Sequence, residues 1–393
     1  NKLTVWAWDQ NFNIKSMQIA ADQYAKDHDG FSVDIIETSS DDCQTKLTTA
    51  ANAGDYSTLP DIVLMQDNSY QKYLKSYPDA FTDLKDMDVN WDDFGKLKQS
   101  YSMVDDTHYG VPFDNGAAIA CYRTDILEEA GVEEIPTTWS EFLDACDKIT
   151  TNTDKAAYAI PLSTEAPNGI QNQFASWLWA SGGNLLQDGK PALTDNDKLA
   201  QLVDMVKTMK DKGYLSDGAE AMKEQDMVNE FENGRLAFMV DGISHLTTIK
   251  TESPDLNFTF ANMPVMDDYS DKSGMDVANW GIGIADNCEN KEAAMQFVEY
   301  LMSPEVNAKL AQLANAFPGN STAEPDYSSN DELFQKAFEI FSEGYAINEF
   351  TGAPTAEDLM RSMNEQLVLY IDGDTASVDE MLSATQEAWE AAY

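Results

Sequence analysis

The chain has 393 residues, and 69 Asp+Glu against 25 Lys+Arg leave a formal charge of −44. A phosphate-backbone binder needs clustered Lys and Arg, and an anionic membrane surface would repel this chain, so the composition speaks against nucleic acid and against electrostatic attachment to an anionic membrane. With 43 % apolar and 10 % aromatic residues it can build packed cores, and its length suits two or three domains.

The first third alternates strand and helix signals. Leu3 to Trp8 reads as a strand, followed by a helix with Ile14, Met17, Ala21 and Tyr24 on one face. Phe31 to Glu37 is a second strand, then a helix runs from about Ser40 to Ala53. Gly54 to Pro60 turns the chain into a third strand, Ile62 to Met65. Such units form a parallel sheet, and ligands bind outside the carboxyl ends of its strands. Those ends are Trp8-Asp9-Gln10, Ser39 to Asp42, and Gln66-Asp67-Asn68.

Well-formed helices follow. Thr138 to Glu141 has capping-box spacing and opens a helix with Phe142, Leu143, Cys146 and Ile149 inward. Leu199, Leu202, Val203, Val206 and Met209 form an apolar stripe stopped by Gly213. Ala294, Phe297, Val298 and Leu301 form another. Ser303-Pro304 then caps a helix with Val306, Leu310 and Leu313 inward.

Chemistry-bearing motifs are sparse. Cys43, Cys121, Cys146 and Cys288 form no CxxC pair, which speaks against a zinc site; they are buried thiols or two bridges. There is no Gly-x-Ser-x-Gly elbow, HExxH, phosphate-cradling loop or GxGxxG after the first strand. His28, His108 and His245 are scattered. The arginines number three, Arg123, Arg235 and Arg361, so the usual fork for carboxylate and phosphate ligands is scarce. That favours a neutral or cationic small molecule as ligand. No apolar run approaches the length of a transmembrane helix. A start at Asn1, without a signal-type segment, reads as a mature or trimmed form.

Tyr109 to Ile149 (YGVPFDNGAAIACYRTDILEEAGVEEIPTTWSEFLDACDKI) resembles the central signature of the family 1 extracellular solute-binding proteins, the receptors of sugar-importing ABC transporters. Gly54 to Ile62, Phe231 to Val240 (FENGRLAFMV), Asn279 to Ala285 (NWGIGIA) and Asn290 to Glu305 follow the family order. The resemblance implies an α/β, two-lobed periplasmic-binding-protein-like fold of type 2. Each lobe would be a mostly parallel sheet flanked by helices, with the ligand cleft between lobes. Lobe 1 would hold residues 1–113 and 281–320, and lobe 2 residues 115–277 and 321–393. Hinge strands are expected near 114–116, 278–281 and 317–321.

It further implies capture of a neutral carbohydrate, an oligosaccharide by the number of aromatics, through hinge closure and delivery to the permease subunits. No catalysis, cofactor or metal is expected, and the receptor would be monomeric. It would sit outside the cytoplasm, as a Gram-positive surface lipoprotein anchored upstream of Asn1 or as a periplasmic protein. Sugar recognition combines aromatic faces with paired polar groups. The expected ligand residues are Trp8, Asp9, Gln10, Asp42, Gln66, Asp67, Asn68, Asn115, Trp177, Asp241, Ser244 and Trp280. Trp139 is assigned to structure, since its capping box explains it. Bridges confined to one lobe would pair Cys43 with Cys288 and Cys121 with Cys146. Two other readings stand beside this one: a receptor for a polyamine or peptide, and a glycosidase using two carboxylates.

Overall fold

The computed structural model describes every residue except Gly352 and Pro354, and the side chains of Asn11, Phe12, Asn68 and Ser244 also lie outside the described set. The chain divides into two compact units. Unit 1 comprises Asn1–Gly116 and Val277–Asp331, and unit 2 comprises Ala117–Asp276 and Glu332–Tyr393. The chain therefore passes between them at 116/117, 276/277 and 331/332. The strands that position the candidate site are β1 (Lys2–Ala7), β2 (Ser32–Glu37), β3 (Ile62–Gln66), β4 (Gly110–Pro112), β5 (Asp114–Arg123), β6 (Phe238–Gly242), β7 (Phe258–Ala261) and β8 (Trp280–Ile284).

Unit 1 is built on a five-stranded sheet in the order β2-β1-β3-β8-β4. β1 runs parallel to β2, from Lys2 opposite Ser32 to Ala7 opposite Glu37, and parallel to β3, with Val5 opposite Ile62. β8 enters antiparallel to β3 and β4. Leu3, Val5, Ile62, Leu64, Ile282 and Ile284 pack on one face of this sheet, and Trp6, Val63 and Met65 on the other. Burial on both faces explains the unbroken apolar run of β3. The glycines of NWGIGIA also find their reason here: a Cβ at Gly283 would overlap the hydroxyl of Tyr70. That hydroxyl is buried and donates to the Tyr109 carbonyl at 3.0 Å.

Unit 2 is a mixed sheet with β5 at its centre. β6 and β7 flank β5, both antiparallel to it. Farther out the pairing turns parallel, with Ala156 beside Leu236 and Tyr158 beside Leu215. Each unit thus has one reversed strand in its sheet, within the mostly parallel arrangement expected of each lobe. In both cases it is a strand adjoining a crossing: β5 runs through 116/117, and β8 follows 276/277. Trp177, Trp179, Phe142, Phe174, Tyr158 and Phe238 fill the unit 2 core. The C-terminal helices Ala356–Ile371 and Val378–Ala392 belong to it too. Trp389 there is 1 % exposed and donates to the Leu359 carbonyl at 3.0 Å.

Local signals act as their chemistry dictates. Thr138 Oγ1 accepts from the Glu141 amide, while Glu141 reaches back to the Thr137 amide at 2.7 Å, one residue before the cap. Asp197–Asp211 buries Leu199, Leu202, Val203, Val206 and Met209, and Gly213 follows with φ +74°. Pro304 opens the helix Pro304–Ala314, in which Leu310 is buried. Leu313, expected inward, is 39 % exposed, because the helix ends one residue later and its last turn clears the core. The third expected crossing, 317–321, begins with Phe317–Pro318 paired antiparallel to Asn115 and Asp114. This pairing keeps the segment within unit 1. All four cysteines are free thiols, so neither expected bridge is formed. Cys121 and Cys146 are buried separately, in strand β5 and in the helix Trp139–Asn152, while Cys43 donates toward the Thr38 carbonyl at 3.7 Å.

Candidate functional site

In unit 1 the carboxyl ends of β1 and β3 meet the start of β8, because the register sets Trp280 opposite Gln66. Trp8, half-buried just past β1, meets Trp280 edge to face at 6.3 Å. Trp280 stacks on Phe113 with centroids 4.1 Å apart and planes 17° apart. The loop after β1 is shaped by buried Asn13, whose Oδ1 accepts from the amides of Trp8 and Asp9 at 3.1 and 3.0 Å. Asp9 and Gln10 are exposed, and Gln10 Nε2 donates to Glu37 at 2.6 Å. Aromatic rings followed in the chain by exposed carboxylate and amide groups offer the two chemistries a sugar face requires.

Beside this array lies a buried polar network. Asp67, at the head of the helix Asp67–Ser76, pairs with Lys98, both almost wholly buried. The backbone amide of Asn279 donates to Asp67 Oδ2 at 2.8 Å, and the Asn279 side chain donates to Asp114. Burial pushes the Asp114 carboxyl up to about 8, with Lys98 pulling the other way. Asn115 is turned to the backbone, donating to the Pro318 carbonyl at 2.9 Å.

Unit 2 holds a second polar cluster. A π-helical turn at Gln171–Ala175 leads into the helix Ser176–Ala180. Gln171 Nε2 donates to Asp276 Oδ2 at 2.7 Å, and Asn348 Nδ2 to Asp276 Oδ1 at 2.6 Å. Asn172 Nδ2 donates to Glu224 Oε1 at 3.1 Å, and Asn168 Nδ2 reaches Glu224 Oε2 at 3.4 Å. Desolvation, then the charge of Asp241, pushes the Glu224 carboxyl up to about 7. Desolvation also raises Asp276. Asp241, 5 % exposed, lies 2.7 Å from His245 Nδ1, and this bond raises the imidazole. Three carboxylates, an imidazole and several amides can hold hydroxyls or an ammonium group.

The expected ligand residues therefore separate. Trp8, Gln66 and Trp280 come together in unit 1, with Asp9 and Gln10 next along the chain from Trp8. Asp42 is exposed in the first turn of Ser40–Ala53. Asp67 spends its carboxylate on Lys98 and Asn279, so its role here is structural. Asn115 holds the Phe317–Pro318 strand within unit 1. Asp241 lies in the unit 2 cluster. The side chains of Asn68 and Ser244 fall outside the described residues. Trp177 is a correction: it is 1 % exposed, packs against Trp139, Phe142, Tyr158 and Phe238, and donates to Tyr158 Oη at 3.1 Å. A helix buried on all sides leaves no face for it to present. Trp179 is buried as well and donates to Glu349 at 2.7 Å.

Glu224, Asp276, Gln171 and Asn172 were not foreseen. The run Gln171-Asn172-Gln173 ahead of an apolar helix was the available signal, since amides there need partners. The scarcity of arginine carries through to the structure. Arg123 is held by Asp125 and the Phe231 carbonyl, and Arg361 by Glu357, Asp358 and the Thr164 carbonyl.

A sequence model described as bacterial extracellular solute-binding protein matches residues 20–337. The chain is 31 % identical over 232 residues to a lactose-binding protein of Rhizobium radiobacter, covering 58 % of this chain and 55 % of that relative. The chain thus spans about half the length of that relative. Its fold is similar to a cyclic α-maltosyl-1,6-maltose binding protein of Arthrobacter globiformis, with TM-score 0.85 and 19 % identity over 100 % of this chain and 98 % of that one. It is also similar to the sugar-binding protein MalE of Xanthomonas citri, with TM-score 0.79 and 20 % identity over 100 % and 97 %. With its two α/β units and the match over most of its length, the chain belongs to the bacterial extracellular solute-binding proteins and has their type 2 periplasmic-binding-protein fold.

Proposed function

We propose that this protein is a receptor that captures a neutral oligosaccharide outside the cytoplasm and delivers it to the permease of an ABC importer, without turning it over. The observation that carries this reading is the Trp8–Trp280–Phe113 array at the strand ends of unit 1, with Gln66 opposite Trp280 and Asp9 and Gln10 following Trp8 in the chain. Family membership and a relative named for lactose support the same class of ligand. The ligand residues are Trp8, Asp9, Gln10, Gln66 and Trp280 in unit 1 and Asp241 with Glu224, Gln171 and Asn172 in unit 2. Binding by both units favours a closed state through its differential affinity, with the crossings as hinges, and the permease reads that state. The receptor acts as a monomer outside the cytoplasm, as a surface lipoprotein or a periplasmic protein.

One feature favours a second reading. Glu224, Asp241 and Asp276 gather negative charge in unit 2, which suits a polyamine. A panel of neutral glycans and spermidine, read by thermal shift and calorimetry, separates the two. A neutral sugar is expected to stabilise the protein, and the effect is expected to vanish in Trp8→Ala. Stabilisation by spermidine alone overturns the sugar reading, and turnover of a labelled oligosaccharide overturns the reading as a receptor.

A further inference from the structure

Asp67, Lys98, Asp114 and Asn279 put one ammonium and two carboxyl groups into a space shielded from water, with side-chain exposures of 2 % for Lys98 and 3 % for Asp67. Asp114 is 2 % exposed. A buried site of this kind is cheapest when its charges balance, so it favours holding one extra proton. The geometry decides which carboxyl carries it. Asp67 has both Lys98 and the Asn279 amide. Asp114 takes the Asn279 side chain on Oδ2, while Oδ1 is buried with no hydrogen bond of ordinary geometry among the described residues. Desolvation raises Asp114, Asp67 adds to the rise, and Lys98, Asn279 and the Trp280 amide oppose it. Tyr327, near Asp114, Tyr70, near Asp67, and Tyr101, whose hydroxyl donates to the Val277 carbonyl at 3.5 Å, are titratable groups that also face the network.

Two of the groups around Asp114 belong to the segment that carries the indole. Asn279 and the backbone amide of Trp280 both address its carboxyl. The Trp280 ring stacks on Phe113, the residue just before Asp114. We propose that Asp114 is a positioning residue for Trp280: the network holds the indole in its stacked place while Asp114 keeps its proton, and shifts it when that proton is lost. Ionised Asp114 adds an unbalanced buried charge, which is relieved by admitting water or by drawing the Asn279 and Trp280 N–H groups closer to the carboxylate. Either change moves the backbone on which the indole stands. For its effect on ligand capture, the proposal rests on the reading of Trp280 as a ligand residue.

The test begins without ligand. Indole fluorescence of the full chain, taken as the difference from Trp280→Phe, is followed from pH 6 to 10. One transition near pH 8 is expected, and it is expected to disappear in Asp114→Asn, which mimics the neutral acid. A flat difference signal, or a transition retained in Asp114→Asn, overturns the proposal. Should that variant fail to fold, NMR of the unaltered protein serves: an Asp carboxyl and the Trp280 Nε1–H signal are expected to share one midpoint, and a Trp280 signal that stays still overturns it. Lactose and maltotetraose are then titrated at pH 7 and 9. If only the protonated form binds, affinity falls about tenfold in the unaltered protein and stays level in Asp114→Asn. Equal affinity at both pH values in the unaltered protein overturns the coupling. Absence of sugar binding at either pH counts against the receptor reading and leaves the optical result standing.

Discussion

Trp280 lies face to face with Phe113 at 4.1 Å and edge to face with Trp8 at 6.3 Å, so one indole joins a buried stack to a half-buried ring. The two tryptophans therefore differ in how much they contribute to the core. Trp280→Ala removes a large side chain that is 2 % exposed and is expected to cost about 3–5 kcal/mol of stability. Trp8→Ala should cost about 1–2 kcal/mol, because less of the ring is buried, and should weaken sugar binding at least tenfold. Denaturant titration and calorimetry on the two variants check the separation.

The Asp67–Lys98 pair is a second handle. Removing one partner of a buried pair leaves the other uncompensated, at a cost of about 3–5 kcal/mol. Lys98→Met alone is expected to lose stability on that scale. Lys98→Met with Asp67→Leu should recover much of it, since two apolar groups leave no stranded charge. A double-mutant cycle in urea gives the coupling directly.

Stability should fall as pH rises from mildly acid to neutral. Glu224 is raised to about 7, and Asp276 is raised too, so the folded chain holds protons that the unfolded chain releases at ordinary carboxylate values. Their favourable contribution is complete below the unfolded pKa and is lost as pH climbs through the folded one. His245 acts in the same direction: its folded value is raised by Asp241, so its contribution is present below 6.5 and lost as pH rises through the folded pKa. Unfolding measured from pH 4 to 8 should show a shallower decline in Glu224→Gln, by about 1–2 kcal/mol across the window.

Four thiols should be countable. Intact mass after alkylation under denaturing conditions without reductant is expected to show four additions. In the native protein Cys43 should react first, as the cysteine that is only half-buried, and slowly, because burial pushes its thiol up to about 11. Fewer than four additions would mean that a bridge exists after all.

Much of the fold was legible along the chain because its signals are local. The helix Ser40–Ala53 has the limits its sequence suggested, with Ser39 capping the Asp42 amide and Gly54 closing it at φ +65°. The stripe Leu199 to Met209 and the break at Ser303-Pro304 follow equally local rules. The site was less legible. Trp177 and Trp8 have similar neighbourhoods in sequence, yet one ends inside unit 2 and the other at a strand end. Glu224 and Asp276 are two acids among 69 and carry no mark in their own segments.

By itself the sequence determined the alternating strand–helix order of the first third, the helix caps, the poverty in arginine and the ordered motifs that tie the chain to its family. Each of these is set by neighbours a few residues apart or by simple counts. Tertiary structure alone decided which aromatics are buried and which acids are paired. Asp67 meets the Asn279 amide across 212 residues, and Gln171 meets Asp276 across 105. Burial and charge pairing depend on what the fold brings alongside, and no periodicity in the chain encodes a partner that far away.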